Sequence, residues 1–340
     1  MAYLVGPQSS RDIQGGTKAR SDIYEICSRL GIRSVPTGGN GAAGKAKNLI
    51  SALSHALFGK VDYYIFNFPS INPVAKLAMR IFAIRHSVVL IVHDIDQERA
   101  VEPTQGLSIL NSARVCLYSG SLSKIPIVGD VSSPREHIRC WDYITDGVPQ
   151  PWSNGPGTIF AGNLNEDKSP WLYDSSRKTP LFIAGRNYNA ERGVKTDTFL
   201  GHFDPNIPNF PESIRWGLVW DGDSPHTLSG PTGLYQRYNQ PHKFSLYLAG
   251  GIPVICHKDA AVAALVKQWK VGLCVNSIDE VPDAIKSLDS VDEAAIRDGV
   301  AEIGQKIRTG YFLSEALADF IKAVDATPVV GKKIAQAAAQ

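Results

Sequence analysis

The sequence lacks the features that mark membrane-spanning, exported or nucleic-acid-binding proteins. Its longest apolar runs, such as SVVLIVH at 87–93, have the length of a strand and fall far short of the ~20 residues that cross a bilayer. The opening MAYLVG has no basic segment before an apolar one, so we expect no export signal. The net charge is only +2 and Lys and Arg form no block, which argues against nucleic acid as a partner.

Cysteine is sparse and irregularly spaced. Widely separated thiols, three of them in strand-like runs, favour reduced and mostly buried side chains over a disulfide framework. No His–Cys cluster has zinc spacing, and no G-x-S-x-G nucleophile motif occurs. We expect a cytoplasmic protein, either free or in peripheral contact with the inner face of the membrane. The five cysteines are Cys27, Cys116, Cys140, Cys256 and Cys274.

The chain contains two successive sets of alternating strand and helix patterns, and 340 residues suffice for two domains. Such alternation predicts parallel sheets covered by helices on both faces. The first set has strands at 3–6, 33–36, 61–68, 88–92 and 113–118, and helices at 18–30, 45–58, 74–84 and 105–112.

The second set follows a stretch rich in Pro and Gly at 145–157, which has a linker composition. We predict an α/β protein of two doubly wound domains, 1–150 and 151–325. An Ala/Lys-rich tail over 326–340 should be frayed, and the last helix could pack back on the N-terminal domain. Strands are predicted at 158–161, 181–184, 198–203, 215–220, 252–256 and 272–275, and helices at 260–269 and over most of 279–325.

The segment YNQPHKFSLYLAGGIPVI at 238–255 predicts a short helix with basic residues at its unfavourable end. Asn239 suits the N-cap and Pro241 the first turn. His242 and Lys243 then lie in the first turn, where the helix dipole disfavours a cation by roughly 0.3–1 kcal/mol. A phosphate or diphosphate bound there would explain the arrangement. The alternative is a solvated lysine at a mildly unfavourable position.

Polar residues also follow several predicted strands. Ligands of open parallel sheets bind beyond the carboxyl ends of the strands, so two facing domains would line one cleft with these residues. Each taken alone could equally be an ordinary loop residue. They are Gly16 and Thr17, His93 and Asp94, Asn163, Arg186, and Asp221.

A glycine-rich loop at 39–44 fits G-x-G-x-x-G, but it follows the second strand and not the first. Asp62 lies near the distance of a ribose contact, so an NAD-dependent oxidoreductase stays a weaker alternative. A P-loop is excluded because Ala46 stands where Ser or Thr would hold magnesium. A loop able to touch a second substrate is the interpretation we favour.

Four blocks resemble a bacterial glycosyltransferase family, that of the streptococcal adhesin glucosyltransferases and of proteins labelled β-1,6-galactofuranosyltransferases. They are HDID (93–96), FAGNL (160–164), GLVWDG (217–222) and the segment 238–255; GGTKARSDI (15–23) is similar to that family's first loop. The resemblance spans residues 3 to about 325. It implies a GT-B fold, in which two Rossmann-like domains face across a cleft. The C-terminal domain would bind the nucleotide sugar, and the N-terminal domain the acceptor.

The resemblance also implies roles for single residues. Arg186 and Lys243 would hold the diphosphate of a UDP-sugar, Tyr238 and Asn239 would shape the pocket, and Thr17 would reach the donor from the other domain. Gly16, Asn163 and Asp221 are further candidates for the nucleotide-sugar site. Such enzymes generally need no bound metal or other cofactor, so we expect none.

The sequence departs from related GT-B enzymes after residue 256. Many carry a glutamate pair there, and one carboxylate grips the donor sugar, whereas 257–266 reads HKDAAVAALV with Asp259 as its one acid. The transferred hexose therefore stays open among glucose, galactose and galactofuranose. Inversion or retention at the anomeric carbon stays open as well.

An inverting transferase needs a general base on the side opposite the diphosphate. Asp94 is the first candidate because it follows the buried strand predicted at 88–92, and His93 and Asp96 are alternatives. Asp94 could instead cap a helix or pair with Arg99. Two D-x-D triplets, 94–96 and 221–223, match the metal-binding signature of the other main glycosyltransferase fold, but that fold has one sheet, so we predict no metal.

The sequence predicts a hexosyltransferase that acts on a glycan, glycoprotein or lipid-linked sugar of the cell surface. A nucleotide-sugar-binding subunit without turnover is the second hypothesis, and the oxidoreductase is the third. Helical surfaces near 292–325 could support self-association. Trp216, Trp220 and Tyr235 could stack on a ligand, although core packing is the favoured interpretation.

Overall fold

Two parallel sheets of six strands each form the framework of the protein. The structure is a computed structural model that describes residues 2–6, 15–37, 41–60, 62–69, 73–95, 105–125, 128, 131–133 and 135–325. Strands and helices alternate over most of the N-terminal half and over the later part of the C-terminal half, which confirms the α/β class predicted from the pattern. The boundary drawn at residue 150 falls in the segment that joins the two sheets.

The N-terminal sheet has the order β2-β1-β3-β4-β5-β6. The chain crosses to the other side of β1 between β2 and β3, which makes a topological switch point beside β1. The strands are β1 Ala2–Gly6, β2 Arg33–Pro36, β3 Tyr63–Phe68, β4 Ser87–Val92, β5 Val115–Ser119 and β6 Arg135–Ile138. The helices are α1 Gly15–Arg29, α2 Gly41–Phe58, α3 Pro73–Arg85 and α4 Gln105–Ser112.

The C-terminal sheet has the order β12-β11-β10-β7-β8-β9, with its switch point between β7 and β10. Its strands are β7 Gly157–Asn163, β8 Phe182–Arg186, β9 Thr198–Phe199, β10 Ile214–Val219, β11 Val254–His257 and β12 Gly272–Val275. Its helices are α5 Gly230–Tyr235, α6 His242–Ala249, α7 Ala263–Trp269, α8 Val281–Lys286, α9 Ser290–Thr309 and α10 Tyr311–Asp325.

Helices cover both faces of the N-terminal sheet. Buried residues of α2, α3 and α4 pack on one face, in the cluster that contains Ala52, Phe82 and Ile109. Ile23 of α1 and Phe320 of α10 belong to the second cluster, which continues into the C-terminal domain. The sheet therefore has one core of its own and one that it shares with the second domain.

The last helix returns to the N-terminal domain, as the sequence allowed. Phe320 of α10 makes an edge contact with Tyr63 of β3, with ring centroids 5.3 Å apart. Asp142, in the segment between the sheets, accepts hydrogen bonds from the N–H groups of Phe312 and Leu313 at 3.1 and 2.7 Å. This carboxylate therefore holds the start of α10, in the manner of a helix cap.

Two elements were not predicted from the sequence. Strand β6 reads REHI and pairs only with β5, at the edge of the sheet. Helix α5 reads GPTGLY and has no apolar periodicity. The tail from 326 onward lies outside the described residues. Within the described ranges, no helix combines the length and apolar character needed to span a bilayer.

Candidate functional site

The switch point of the C-terminal sheet brings together a lysine, an aspartate and bare backbone. The Nζ of Lys243 donates to Asp221 Oδ1 at 3.1 Å and to the carbonyl of Trp220 at 3.3 Å. It stands 4.2 Å from the ring centroid of Phe160 in β7, and its side chain is 13% exposed. Lys243 and Asp221, both predicted site residues, are therefore one ion pair at the end of β10.

Helix α6 begins later than the sequence suggested. Its N-cap is Pro241, in extended conformation and without a side-chain cap bond, so the predicted Asn239 cap is wrong. Asn239 is nearly buried, and its N–H donates to the carbonyl of Tyr235 at 2.9 Å. Lys243 is the second residue of the helix. It therefore lies beside the first backbone N–H groups, which have no partner inside a helix.

His242 is not the second cation expected in this turn. Burial, reinforced by the charge of Lys18, lowers its pKa to about 3, so the ring is neutral at pH 7. The ring lies against Trp141, with centroids 5.8 Å apart and planes 22° from parallel. Neither ring nitrogen has a hydrogen-bond partner within the described residues. The positive charge of this helix turn comes from Lys243 alone.

Arg186 and Asn163 are register partners at the ends of β8 and β7. The Arg186 side chain is exposed, and its guanidinium has no partner in the part of the chain that the structure describes. Asn163 Oδ1 accepts from Asn187 Nδ2 at 2.9 Å and from the N–H of Asn165 at 3.2 Å. Asn163 thus shapes the loop after β7, while Arg186 is available to a ligand at the same edge.

The two strand ends carry glycines where the chain approaches the Lys243 side chain. Gly162 and Gly185 pair in register just before Asn163 and Arg186. A Cβ on Gly162 would lie 4.0 Å from Lys243 Cε, and a Cβ on Gly185 would lie 1.8 Å from the Gly162 carbonyl oxygen. The edge below Lys243 is therefore unobstructed backbone.

His93 lies at the end of β4, across the cleft. Its Nε2 is 3.1 Å from Asn67 Oδ1, and its ring stacks on Trp141 with centroids 4.5 Å apart and planes 9° from parallel. Burial, with the nearby His242 and Arg20, lowers the pKa of His93 to about 3. A neutral imidazole of such low basicity is a poor general base.

Asp94 lies where the two domains touch. Tyr235, from α5 of the C-terminal domain, donates to Asp94 Oδ1 at 3.3 Å and accepts the N–H of Ile95 at 2.9 Å. Tyr235 is 4% exposed and belongs to the N-terminal core cluster. The carboxylate predicted as base is therefore oriented by the opposite domain. Asp96 and Arg99 lie outside the described residues.

The segment before α6 also contacts the N-terminal domain. The carbonyl of Tyr238 accepts the N–H of Ser121 at 2.9 Å, and its side chain packs against the N-terminal core. A Cβ on Gly120 would lie 3.0 Å from that same carbonyl oxygen. Tyr238 therefore joins the domains beside the Lys243 turn.

Gly16 and Thr17 lie in the first turn of α1, not in a loop as predicted. Lys18, which sequence reasoning passed over, follows them directly. It is 4% exposed, forms an ion pair with Asp22, and donates to the carbonyl of Ile144. It also stands 4.8 Å from the Tyr143 ring centroid. No local signal singled it out, because its partners other than Asp22 lie more than a hundred residues away.

The three aromatic residues considered as ligand-stacking candidates belong to the protein core. Trp216 and Trp220 are fully buried and Tyr235 nearly so, which confirms the core-packing interpretation. In the described ranges, no group of three or more His, Cys, Asp or Glu side chains is arranged to hold a metal. The glycine-rich loop lies partly outside the described residues, and its last residues begin α2 after β2.

Two doubly wound domains that face across a cleft, with the last helix returning to the first domain, define the GT-B class of glycosyltransferases. The structure of Anabaena Alr3699/HepE in complex with UDP has this fold: the TM-score is 0.56 at 12% identity, over 95% of this chain and 99% of that one. The GT-B fold expected from the sequence is confirmed.

The sequence comparisons give the family. Beta-1,6-galactofuranosyltransferase WbbI of Escherichia coli (strain K12) is 30% identical over 329 residues, 92% of this chain and 96% of that protein. Glucosyltransferase 3 of Streptococcus gordonii is 27% identical over 188 residues, 55% of this chain and 54% of that protein. The family described as Glucosyltransferase 3-like, C-terminal domain, matches residues 158–320. The chain belongs to this glycosyltransferase family and is a hexosyltransferase, as the sequence predicted.

Proposed function

We propose that the protein transfers a hexose from a UDP-sugar to a sugar acceptor of a cell-surface polysaccharide or glycoprotein, without a metal ion. The observation that most supports this proposal is the position of Lys243. Its ammonium lies in the first turn of α6, 3.1 Å from Asp221, at the switch point where doubly wound sheets bind nucleotides. The diphosphate would accept from this ammonium and from the helix N-terminus, with Arg186 at the neighbouring strand end.

The proposed chemistry needs stabilisation of the leaving diphosphate. The bond from the anomeric carbon to the diphosphate oxygen breaks, and negative charge grows on UDP. A cation and helix N–H groups fixed in place before the reaction each lower the barrier by a few kcal/mol in a site that excludes water. Lys243 and Arg186 would supply the charge that a metal supplies in other transferases.

Asp94 is the proposed acceptor for the proton of the attacking hydroxyl. It is held by Tyr235 at 3.3 Å and lies at the end of β4, on the N-terminal side of the cleft. His93 is less suited, because burial keeps its pKa near 3. The N-terminal domain would bind the acceptor, whether glycan, glycoprotein or lipid-linked sugar. We extend the proposal to a cytoplasmic location, at the inner face of a membrane when the acceptor is lipid-linked.

UDP is the proposed nucleotide because HepE, similar in fold, has been solved with UDP. The named relatives transfer galactofuranose and glucose, so glucose, galactose and galactofuranose are the proposed hexoses. Asp259, the one acid in residues 257–266, is 44% exposed and lies 3.8 Å from Arg237. The assay described next therefore compares all three sugars.

The test is turnover of each UDP-hexose by the purified protein in excess EDTA, with sugar acceptors and with water. We expect release of UDP from one of these donors at a rate that EDTA does not change. Asp94→Ala should abolish transfer while UDP still raises the melting temperature. Loss of activity in EDTA with rescue by manganese would refute metal independence, and binding of UDP without turnover would favour the non-catalytic subunit.

A further inference from the structure

The outer face of α2 and α3 exposes large apolar side chains where a solvent-facing helix ordinarily carries polar ones. On α2 these are Ile50, Leu57 and Phe58, and Phe58 is 77% exposed. On α3 they are Leu77 and Ile84, and Ile84 is 81% exposed. Single exposed apolar residues are common on protein surfaces, but five on two adjoining helices form a contiguous patch of the kind that marks an interaction site.

The exposed residues of each helix fall on one stripe. On α2 the exposed positions 47, 50, 54, 57 and 58 share an arc of about 100°, and on α3 positions 77, 80 and 84 share a similar arc. The opposite faces carry Ala52, Ala56 and Phe82, which are buried against the sheet. Because α2 and α3 pack against each other on the same face of the sheet, the two stripes form one outer surface.

This surface is basic. From Gly41 to Arg85 the chain has six Lys or Arg residues and one acid, a net charge of +5, whereas the whole chain has +2. Lys47 and Arg80 lie on the two stripes and Lys60 follows α2, and all three are exposed. Lys47, Lys60 and Arg80 thus place positive charge beside the apolar patch, and the chain outside 41–85 is negative overall.

We propose that α2 and α3 form a docking face for an anionic lipid bilayer. Phe58 and Ile84 would enter the boundary between headgroups and acyl chains, and Lys47, Lys60 and Arg80 would contact the acidic headgroups, as in helices that lie in the plane of a membrane surface. A second copy of the chain is a less suitable occupant, because a symmetric dimer through this face would oppose two basic surfaces.

The placement leaves the cleft free. Helix α2 connects β2 to β3 and helix α3 connects β3 to β4, and all three strands are parallel, so both helices run antiparallel to the strands. Phe58 is the last residue of α2 and Ile84 the last but one of α3, so both lie toward the amino ends of the strands, while Asp94 lies at the carboxyl end of β4. Docking through these side chains would hold the protein at the bilayer without covering the site. This proposal names the surface for the membrane contact proposed above, and it does not depend on the identity of the donor.

The experiment is co-sedimentation of the full-length protein with vesicles of phosphatidylcholine, and of phosphatidylcholine mixed with phosphatidylglycerol. We expect the protein to pellet with the mixed vesicles and to remain in solution with phosphatidylcholine alone. Added salt should weaken the binding, because the headgroup contacts are screened.

Paired variants separate the two contributions. Phe58→Ser with Ile84→Ser should lower the vesicle partition coefficient at least tenfold, and Lys47→Glu with Arg80→Glu should lower it by roughly fivefold or more for each charge removed. Val291→Ser and Lys286→Glu are matched controls, since both residues are exposed on the C-terminal domain; they should bind as the native protein does. An unchanged thermal shift with UDP shows that each variant is folded.

Equal binding of the native protein and both paired variants would overturn the proposal, as would binding that ignores lipid charge. Light scattering tests the other occupant. A native dimer that Phe58→Ser with Ile84→Ser converts to a monomer, without vesicle binding, would assign the face to a second copy. Absence of a UDP shift in the native protein would count against the proposed donor and leave the lipid result standing.

Discussion

At the scale of single residues, the site holds its one helix-turn cation in place before any ligand arrives. Asp221 and the carbonyl of Trp220 fix the Lys243 ammonium at 3.1 and 3.3 Å. Both side chains are mostly buried, so the pair is little screened by solvent. A diphosphate would add to or replace the Asp221 contact, which makes Asp221 a positioning residue for Lys243.

Sequence reasoning reached this site only in part. The helix and its lysine were readable, because Pro241, Lys243 and the glycines after 249 carry local signals, but the N-cap was placed two residues too early. The neutral state of His242 was not readable, since it depends on burial against Trp141 and on Lys18, both distant in sequence. Contacts between side chains that are distant in the sequence cannot be predicted from a local sequence pattern.

Tyr235→Phe should reduce transfer about tenfold and destabilise the protein by about 1–3 kcal/mol. The hydroxyl orients Asp94 and accepts the Ile95 N–H, and phenylalanine would leave that buried donor unsatisfied. Steady-state kinetics and urea unfolding measure the two effects. Tyr311→Phe, at an exposed residue of α10, is the matched control and should change neither. Native kcat in Tyr235→Phe would contradict a positioning role.

At the scale of elements, the alternating pattern fixed most strands and helices to within a few residues. Strand β6 was not predicted, because an edge strand that contains Arg135, Glu136 and His137 has no apolar run. Helix α5 was not predicted either, because its Gly and Pro residues have low helix propensity. It forms where Tyr235 inserts into the core of the other domain, which is a tertiary effect.

Gly185→Ala should cost more than about 2 kcal/mol and diminish the thermal shift with UDP. Gly185 has φ +146°, and a Cβ there would lie 1.8 Å from the Gly162 carbonyl oxygen, so β7 and β8 would have to separate below Lys243. Gly201→Ala is the control. It has φ +82° with nothing within 4 Å, so it should cost only about 1 kcal/mol from backbone strain. Equal losses in both variants would contradict the close-approach explanation.

Asp142→Asn should change how stability depends on pH. Burial raises the pKa of Asp142 to about 7 despite its bonds to the start of α10. Between about pH 4 and 7 the folded state therefore holds a proton that the unfolded state has released. The stability that this proton contributes is fully present below pH 4 and is lost as the pH rises through 7. Asparagine removes this titration and can still cap the helix.

Relative to the native protein, Asp142→Asn should therefore gain stability from pH 4 to 7, by about 1.4 kcal/mol per pH unit at most. Urea unfolding across that range measures the difference. Parallel curves for Asp142→Asn would show that this carboxyl does not carry a raised pKa.

At the scale of the whole molecule, the strand and helix pattern predicted two parallel sheets but not how the two domains contact each other. The contacts that align the cleft join residues far apart in the chain: Ile95 with Tyr235, and Ser121 with Tyr238. Trp141, in the connecting segment, stacks between His93 and His242 and so touches both sides. These contacts place Asp94 and the Lys243 turn at the junction of the two domains, which a linear pattern of strands and helices could only suggest.

The most direct test of the central claim is the melting temperature of the protein with and without UDP, compared between the native chain and Lys243→Ala. UDP should raise the melting temperature of the native protein, because binding to the folded state stabilises it. Lys243→Ala should lose most of that rise, while Lys267→Ala, at an exposed lysine of α7, should keep it. An equal rise in Lys243→Ala, or none in the native protein, would contradict the assignment of this helix turn as the diphosphate site.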